Sequence, residues 1–169
     1  EQMVALWLLE KAGIPAPAGL IALLPSVVEA GSSTTAEIAR VPWGRQASHF
    51  VGLDSVGDLL LFSAAQASLT HGQNLAREPR DTAGFKDATP VARAASGVKP
   101  DAIRWLGALL RAGQIAGTAA ACLELSVKYT SDRVQFGRAL SQFQAIQNHL
   151  AELGGAMASV DTMARTAFL

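Results

Sequence analysis

The C-terminal third of the chain carries an apolar repeat that only a helix packed against other helices can satisfy. Its apolar positions step by three and four residues, which places them on one face of an α-helix. These positions are Phe143, Ile146, Leu150, Leu153, Met157 and Val160. The spacing is typical of antiparallel helix packing with a left-handed crossing. It predicts a helix that begins near Ser141 and needs at least one neighbouring helix.

A longer helix is predicted upstream of this repeat. Asp101 follows Pro100 and can cap a helix that continues to about Ser131, since only glycines that a helix tolerates interrupt the pattern. Its polar residues recur every seven positions and leave one narrow polar stripe, so we expect this helix to pack on several sides. Two helices cannot bury all of these faces, and we expect further helices of the protein or another subunit to cover them.

The middle third of the chain changes from helical spacing to short apolar runs separated by turn residues. The clearest pair is His49–Leu53 and Leu59–Phe62, which flank a loop of about five residues and predict a β-hairpin. Before this region, residues 3–12 form a short helical run that Gly13 ends. Residues 19–24 predict either a buried strand or a helical turn.

Charge and cysteine content exclude several classes of function. Fourteen basic and 14 acidic residues cancel, and no basic tail exists, so we expect no nucleic-acid partner. The longest uncharged stretch of the strong helical pattern lies between Arg111 and Glu124, shorter than the roughly 18 residues of a membrane span. We therefore expect no membrane span and no signal peptide. The single Cys122 predicts a small buried core residue and fits a cytoplasmic location.

Common catalytic and metal-binding motifs do not occur in the sequence. The three histidines are far apart and none has metal-ligand spacing, so we predict no metal site. Glycine-rich phosphate loops and the hydrolase G-x-S-x-G elbow are also absent. Glu124 and Glu152 lie on helical segments where a solvated or ion-paired carboxylate is the ordinary interpretation.

One cluster between the two helices is more informative. Arg133, Gln135 and Phe136 stand beside Gly137 where the helical pattern breaks. A guanidinium, an amide and an aromatic ring could contact a phosphate and pack on a planar ring system. The residues alone favour a turn stabilised by arginine and leave ligand binding open.

The segment from Tyr129 to Gln147 closely resembles a known signature. It matches Y-x-x-x-R-x-Q-F-G-x-x-[IL]-x-x-F-Q-x-[IV]-Q of the acyl-CoA dehydrogenases, and Leu150-Ala151-Glu152-Leu153 continues it where that family commonly has L-A-[ED]-M. The upstream Ala-rich helix also looks like the first helix of the family's C-terminal domain. The resemblance is strong over residues 101–169 and weaker over residues 36–90.

The resemblance implies an α+β, mainly α architecture of acyl-CoA dehydrogenase type. In its terms, residues 1–30 are a remnant of an N-terminal helical domain and residues 31–98 are a partial middle β-domain. Residues 99–169 are then an incomplete C-terminal four-helix bundle. The chain does not begin with Met, and its helical pattern continues to Leu169 without a stop signal, so we expect it to be a piece of a longer protein.

The resemblance also implies chemistry. Members of the family use FAD to introduce an α,β double bond into an acyl-CoA thioester, and they pass the electrons to an electron-transfer flavoprotein. Part of the FAD is held by a neighbouring subunit, so a dimer or tetramer is implied, homo- or hetero-oligomeric. Carried over residue by residue, Arg133 becomes a ligand of the FAD phosphates, and the other FAD contacts are Gln135, Phe136, Phe143 and Gln144.

Departures from the family pattern leave the catalytic residue unknown. The flavin-gripping T-E-P-x-A-G-S-D loop is absent, and the segment that usually supplies the catalytic glutamate lies beyond the last helix seen here. Gly107 stands at an alternative family position for that base, and Ala108 stands where an arginine often binds substrate. Two alternatives therefore stay open, a non-catalytic subunit of a hetero-oligomeric enzyme and a helical oligomerisation module without flavin.

Overall fold

The computed structural model describes residues 2–29 and 31–168. Their elements are helix α1 (Gln2–Lys11), strands β1 (Ile21–Leu23), β2 (Thr34–Pro42), β3 (His49–Leu53), β4 (Asp58–Ser63), β5 (Ala67–Thr70), β6 (Arg80–Ala88) and β7 (Ala92–Ala95), helix α2 (Ala102–Asp132), strands β8 (Val134–Gln135) and β9 (Arg138–Ala139), and helix α3 (Gln144–Ala167). The expected β region followed by helices is confirmed. Contacts between residues divide the chain into two units, 1–107 and 108–169.

Two sheets form the first unit. One has the strand order β1-β3-β4-β7 and the other has the order β2-β6-β5. The predicted hairpin is confirmed as β3 and β4, whose register runs from His49 opposite Ser63 to Leu53 opposite Leu59. The segment at 19–24 forms β1, a buried strand that pairs in parallel with β3.

The two sheets pack face to face through aromatic and aliphatic side chains. Phe85 of β6 lies edge-on to Phe50 of β3, with ring centroids 5.8 Å apart, and its ring is 4.8 Å from that of Phe62 of β4. These three rings are almost fully buried. Apolar residues that alternate along facing strands thus make one core between the sheets.

Helix α3 presents the predicted apolar face. The six seam positions are all half-buried, Ala164 continues the series as a buried residue, and most of the other α3 positions are exposed. Helix α2 shows a matching stripe of partly or fully buried leucines and small residues at spacings of three and four. That stripe consists of Leu109, Ala112, Ala116, Ala119, Leu123, Ser126 and Thr130. Phe168, just after α3, packs over Gly113 of α2, so the two helices form a hairpin.

Three details of the helical unit differ from expectation. On helix α2, Trp105, Leu125 and Tyr129 are exposed rather than packed within the described residues. Cys122 is exposed rather than buried, because periodicity cannot tell which apolar face this chain itself covers. Helix α3 begins at Gln144 rather than near Ser141, because residues 140–142 form a tight 3-10 turn first.

Among residues 2–29 and 31–168, α2 is the one helix long and apolar enough to cross a membrane by length and composition alone. Apolar residues around most of a helix are equally typical of a helix inside a larger bundle. The absence of a membrane span therefore stays a prediction.

Candidate functional site

A tight β-hairpin joins the two long helices. Its register pairs Val134 with Ala139 and Gln135 with Arg138, which leaves a turn of two residues. Both turn residues have positive φ, 53° at Phe136 and 80° at Gly137. This is the pattern of a type I′ turn, the turn that best suits the twist of a short hairpin.

Arg133 lies where α2 meets this hairpin. Its backbone N–H donates to the carbonyl of Tyr129 and continues the helix, while its carbonyl accepts from the Leu140 N–H and continues the ladder, each over 2.9 Å. Its side chain lines an open groove with Leu125, Lys128, Tyr129 and Asp132. Within the described part of the chain, the Arg133 guanidinium has neither a hydrogen-bond partner nor a salt bridge. The sequence therefore places an unpaired cation at the end of a long helix.

Phe136 is the most unusual residue of the turn. Its side chain is 90% exposed and its φ of 53° lies in the left-handed region. A bulky residue without a local polar side chain rarely adopts that region, and the conformation costs on the order of 1 kcal/mol. An exposed aromatic ring held in a strained turn is better suited to contacting a ligand than to stabilising this chain.

Phe143 and Gln144 lie directly beside the turn. The Phe143 and Phe136 rings have centroids 6.2 Å apart and are nearly perpendicular, at 81°. Phe143 is half-buried and occupies the N-cap position of α3. The Gln144 side-chain N–H donates to the Asn148 Oδ1 over 3.0 Å. Its own amide oxygen therefore stays available as an acceptor.

The structure thus gathers the five residues around one short hairpin. Arg133 and Gln135 are two residues apart, and the Arg133 carbonyl continues the hairpin ladder, so we expect their side chains to lie on the same face of the ribbon. Phe136 and Phe143 are in ring contact. We call this set, Arg133, Gln135, Phe136, Phe143 and Gln144, the hairpin site. The cation and the amide groups can donate hydrogen bonds to a phosphate, and the exposed ring can stack on an aromatic base linked to it.

Sequence reasoning did not single out Arg138. Its guanidinium carbon lies 4.0 Å from the centroid of the Phe143 ring, within the range of a cation–π contact. A two-residue turn after Gln135 indicates that Arg138 lies directly opposite it, but not that Arg138 contacts Phe143.

A second feature that the sequence did not reveal is a cleft in the β unit. It is lined by main-chain and side-chain atoms of β1 together with Gln2, Pro42, Trp43 and Gln46. Trp43 has a φ of 56°, again in the left-handed region, and is followed by a single 3-10 turn.

A charge pair between buried Asp81 and partly exposed Arg45 anchors that turn. The Asp81 carboxylate accepts from the Arg45 Nε over 3.1 Å, from the Arg45 backbone N–H over 2.8 Å and from the Gly72 N–H over 3.1 Å. The Arg45 guanidinium and these N–H groups outweigh burial and lower the pKa of Asp81 from 3.8 to about 2. Arg45 in turn donates to the Gly72 carbonyl over 2.9 Å. One carboxylate thus ties together the 3-10 turn, the Gly72 loop and β6.

Comparisons with known proteins place this geometry in a wider context. Residues 106–168 match the family model described as acyl-CoA dehydrogenase, C-terminal domain. A curated relative, acyl-CoA dehydrogenase IpdE2 of Mycolicibacterium smegmatis, is 37% identical over 91 residues, which is 48% of this chain and 29% of that protein. The chain thus spans less than a third of that relative's length.

Solved structures show the same fold over most of the chain. FkbI, described as acting in biosynthesis of the methoxymalonyl extender unit of the Fk520 polyketide, gives a TM-score of 0.74 at 22% identity. That likeness covers 98% of this chain and 58% of FkbI. The ChsE4-ChsE5 complex from Mycobacterium tuberculosis gives a TM-score of 0.64 at 18% identity over 89% of this chain and 46% of the matched one.

Proposed function

Because residues 106–168 of this chain belong to the acyl-CoA dehydrogenase family, we propose that the hairpin site binds FAD and that the whole protein dehydrogenates an acyl-CoA thioester. The observation that carries the proposal is that one short hairpin carries both the unpaired guanidinium of Arg133 and, three residues later, the exposed ring of Phe136. The family membership supports oxidoreductase chemistry, and the hairpin supports a nucleotide cofactor.

The residues of the hairpin site fit the adenine and diphosphate half of FAD. Arg133 would bind a phosphate oxygen through charge-assisted hydrogen bonds, which are the strong ones when the partner is an anion. Phe136 would pack on the flat face of the adenine, and Gln135 and Gln144 supply amide donors and acceptors for its edge. No acidic side chain belongs to the hairpin site, although Asp132 lines the adjoining groove.

In the proposed reaction, FAD when bound supplies a hydride acceptor for the β-hydrogen of the acyl chain. The residues of this chain bind and orient the cofactor rather than move the proton. Gly107 on α2 has no side chain that could act as a base, and Ala108 has no charged group that could bind substrate. The base that removes the α-proton would therefore come from another part of the protein or from a second subunit.

The test is a visible absorption spectrum of the purified chain after FAD is added and free flavin is removed. Intact mass and sedimentation on the same sample give its length and its oligomeric state. A flavin band with a dimer or tetramer supports the proposal. If the protein is colourless and still forms a dimer or tetramer, the result favours the alternative of a helical oligomerisation module that does not use flavin.

Phe136→Asn is predicted to change stability and ligand binding in opposite directions. Asparagine tolerates positive φ, so the hairpin should gain about 1 kcal/mol, while the loss of the ring should weaken FAD binding several-fold. Urea denaturation and FAD titration measure the two effects. Phe136→Leu is the matched control, because it removes the ring and keeps the strain. If both variants bind FAD as tightly as the parent chain, Phe136 does not contact the cofactor.

A second candidate function is that of a non-catalytic subunit in a hetero-oligomer. The absence of a base at Gly107 favours it, and one structural relative is described as a complex of two different chains. In this arrangement the chain lends its hairpin site to the flavin of a partner subunit. Co-purification of the chain with a tagged candidate partner subunit would distinguish this function from that of a homo-oligomeric enzyme. The mixed complex would then retain flavin, and the chain alone would not.

Two further elements complete the proposal, the electron acceptor that the family implies and the location that the single cysteine suggests. We propose an electron-transfer flavoprotein as the acceptor of electrons from the reduced flavin and a cytoplasmic location. Reduction of that acceptor by the complete enzyme in the presence of acyl-CoA would test the first. Fractionation of cells that express the complete gene would test the second.

A further inference from the structure

The Phe143 ring is covered on one face by Arg138 and contacted at one side by Phe136. The Arg138 guanidinium carbon lies 4.0 Å from its ring centroid, and the Phe136 ring meets it at 81°. The ring is half-buried although it lies in an exposed segment. A ring in this situation has little free surface for a ligand, whereas Phe136 is 90% exposed. The two aromatic residues therefore have different roles. Phe136 is exposed and available to a ligand, and Phe143 packs against Phe136 and holds it in place.

Arg138 carries a charge that this chain does not neutralise. In the described part of the chain it has no carboxylate partner, and its contact is with an uncharged ring. A cation–π contact leaves the guanidinium N–H groups free to donate, because the ring uses only its flat face. An arginine stacked on a ring is therefore held in place and can still bind an anion.

The hairpin register brings Arg138 to the same side as the residues already assigned to FAD. Gln135 is directly opposite Arg138, and cross-strand partners project from the same face of a ribbon. Arg133 lies two residues before Gln135 and its carbonyl continues the ladder, so we expect its side chain on that face as well. Both unpaired guanidiniums would then lie on one face of the ribbon.

We propose that Arg138 is a positioning residue of the hairpin site, an inference that rests on the proposed FAD function. It stacks on Phe143, holds Phe136 open for the cofactor, and adds a second positive charge for the cofactor's diphosphate. The site then has two cations for a group that carries two negative charges, and neither cation must first be released from a carboxylate.

The experiment measures the Kd for FAD of three variants of the whole 169-residue chain, Arg138→Met, Arg138→Lys and Arg104→Met. Methionine keeps the length of the stem and removes the charge, lysine restores the charge, and Arg104 is an exposed arginine on α2 outside the site. We expect Arg138→Met to raise the Kd for FAD roughly threefold to tenfold. Arg138→Lys should recover part of this loss, and Arg104→Met should bind like the parent chain.

The salt dependence of the Kd separates a charge at the site from a purely structural effect. Salt screens an anion's attraction to exposed cations, so removing one of two cations should flatten the dependence. Flattening in Arg138→Met and not in Arg104→Met supports the proposal. Equal Kd values and equal salt dependence in Arg138→Met and the parent chain overturn it and leave the FAD function standing. A parent chain that binds no FAD, either alone or in a mixed complex with a partner subunit, overturns both.

A further measurement reports on the stacked geometry without any ligand. A guanidinium 4.0 Å above a ring should have its side-chain proton resonances shifted upfield in the NMR spectrum, and Phe143→Leu should abolish the shift. Unshifted Arg138 resonances in the folded parent chain would overturn the positioning role.

Discussion

Replacing Arg133 with alanine is expected to raise the Kd for FAD by roughly ten- to a hundredfold. A hydrogen bond to a charged group contributes about 1.5–3 kcal/mol, which corresponds to that range. The guanidinium has no partner to compensate for its loss in the described part of the chain, so the effect should fall on binding and not on folding. Equilibrium dialysis against FAD and the flavin content of the purified protein both measure it.

The control for this experiment is Arg104→Ala, which removes the same charge from an exposed position near the start of α2, outside the hairpin site. It should leave flavin content unchanged, and both variants should denature at the same urea concentration as the parent chain. Unchanged flavin content in Arg133→Ala would remove the main support for the hairpin as a cofactor site.

Asp81→Asn is expected to destabilise the β unit by about 3 kcal/mol. The carboxylate is fully buried, and its substitution leaves the Arg45 guanidinium without its anion. Breaking a buried ion pair by removing one partner typically costs 3–5 kcal/mol. Urea denaturation followed by circular dichroism measures the change. Asp87→Asn on the same strand is the matched control, because Asp87 is exposed and its φ of 49° suits asparagine. Equal stability of the two variants would contradict the anchoring role of Asp81.

The same pair predicts a dependence of stability on pH. The pKa of Asp81 is lowered from 3.8 to about 2 in the folded chain, so its ionised form favours folding. The contribution, roughly 2 kcal/mol, is fully present above pH 3.8 and is lost as the pH falls through about 2. Denaturation at a series of acid pH values should show this loss in the parent chain and not in Asp81→Asn.

Local periodicity was enough to predict the helical face and the central hairpin. The seam from Phe143 to Val160 and the pairing of β3 with β4 depend on neighbours in sequence, and both are confirmed. The pairing of β2 with β6 was not predictable, since Ile38 lies opposite Ala83 and the register is shifted twice along the strands. Such a ladder depends on contacts that no local pattern records.

In the candidate site, too, some features could be predicted from the sequence and others could not. The signature identified Arg133, Gln135 and Phe136 because they are adjacent in sequence, and their role with FAD stays a prediction. The stacking of Arg138 on Phe143 could not be predicted from residue types, because it depends on the backbone geometry of the turn. The start of α3 was placed too early for a related reason. Phe143 is an N-cap without a side-chain hydrogen bond, and the sequence gives no capping signal there.

The length of the two-residue turn also determines which mutations leave the arrangement of the hairpin site intact. A two-residue loop is the shortest common connection of a hairpin, so deleting one residue between Gln135 and Arg138 would force the pairing to shift by one residue and turn one strand's side chains to the opposite face. The guanidiniums of Arg133 and Arg138 would then lie on opposite faces. A substitution at either position weakens one interaction, whereas a single-codon deletion between them would separate the two cations.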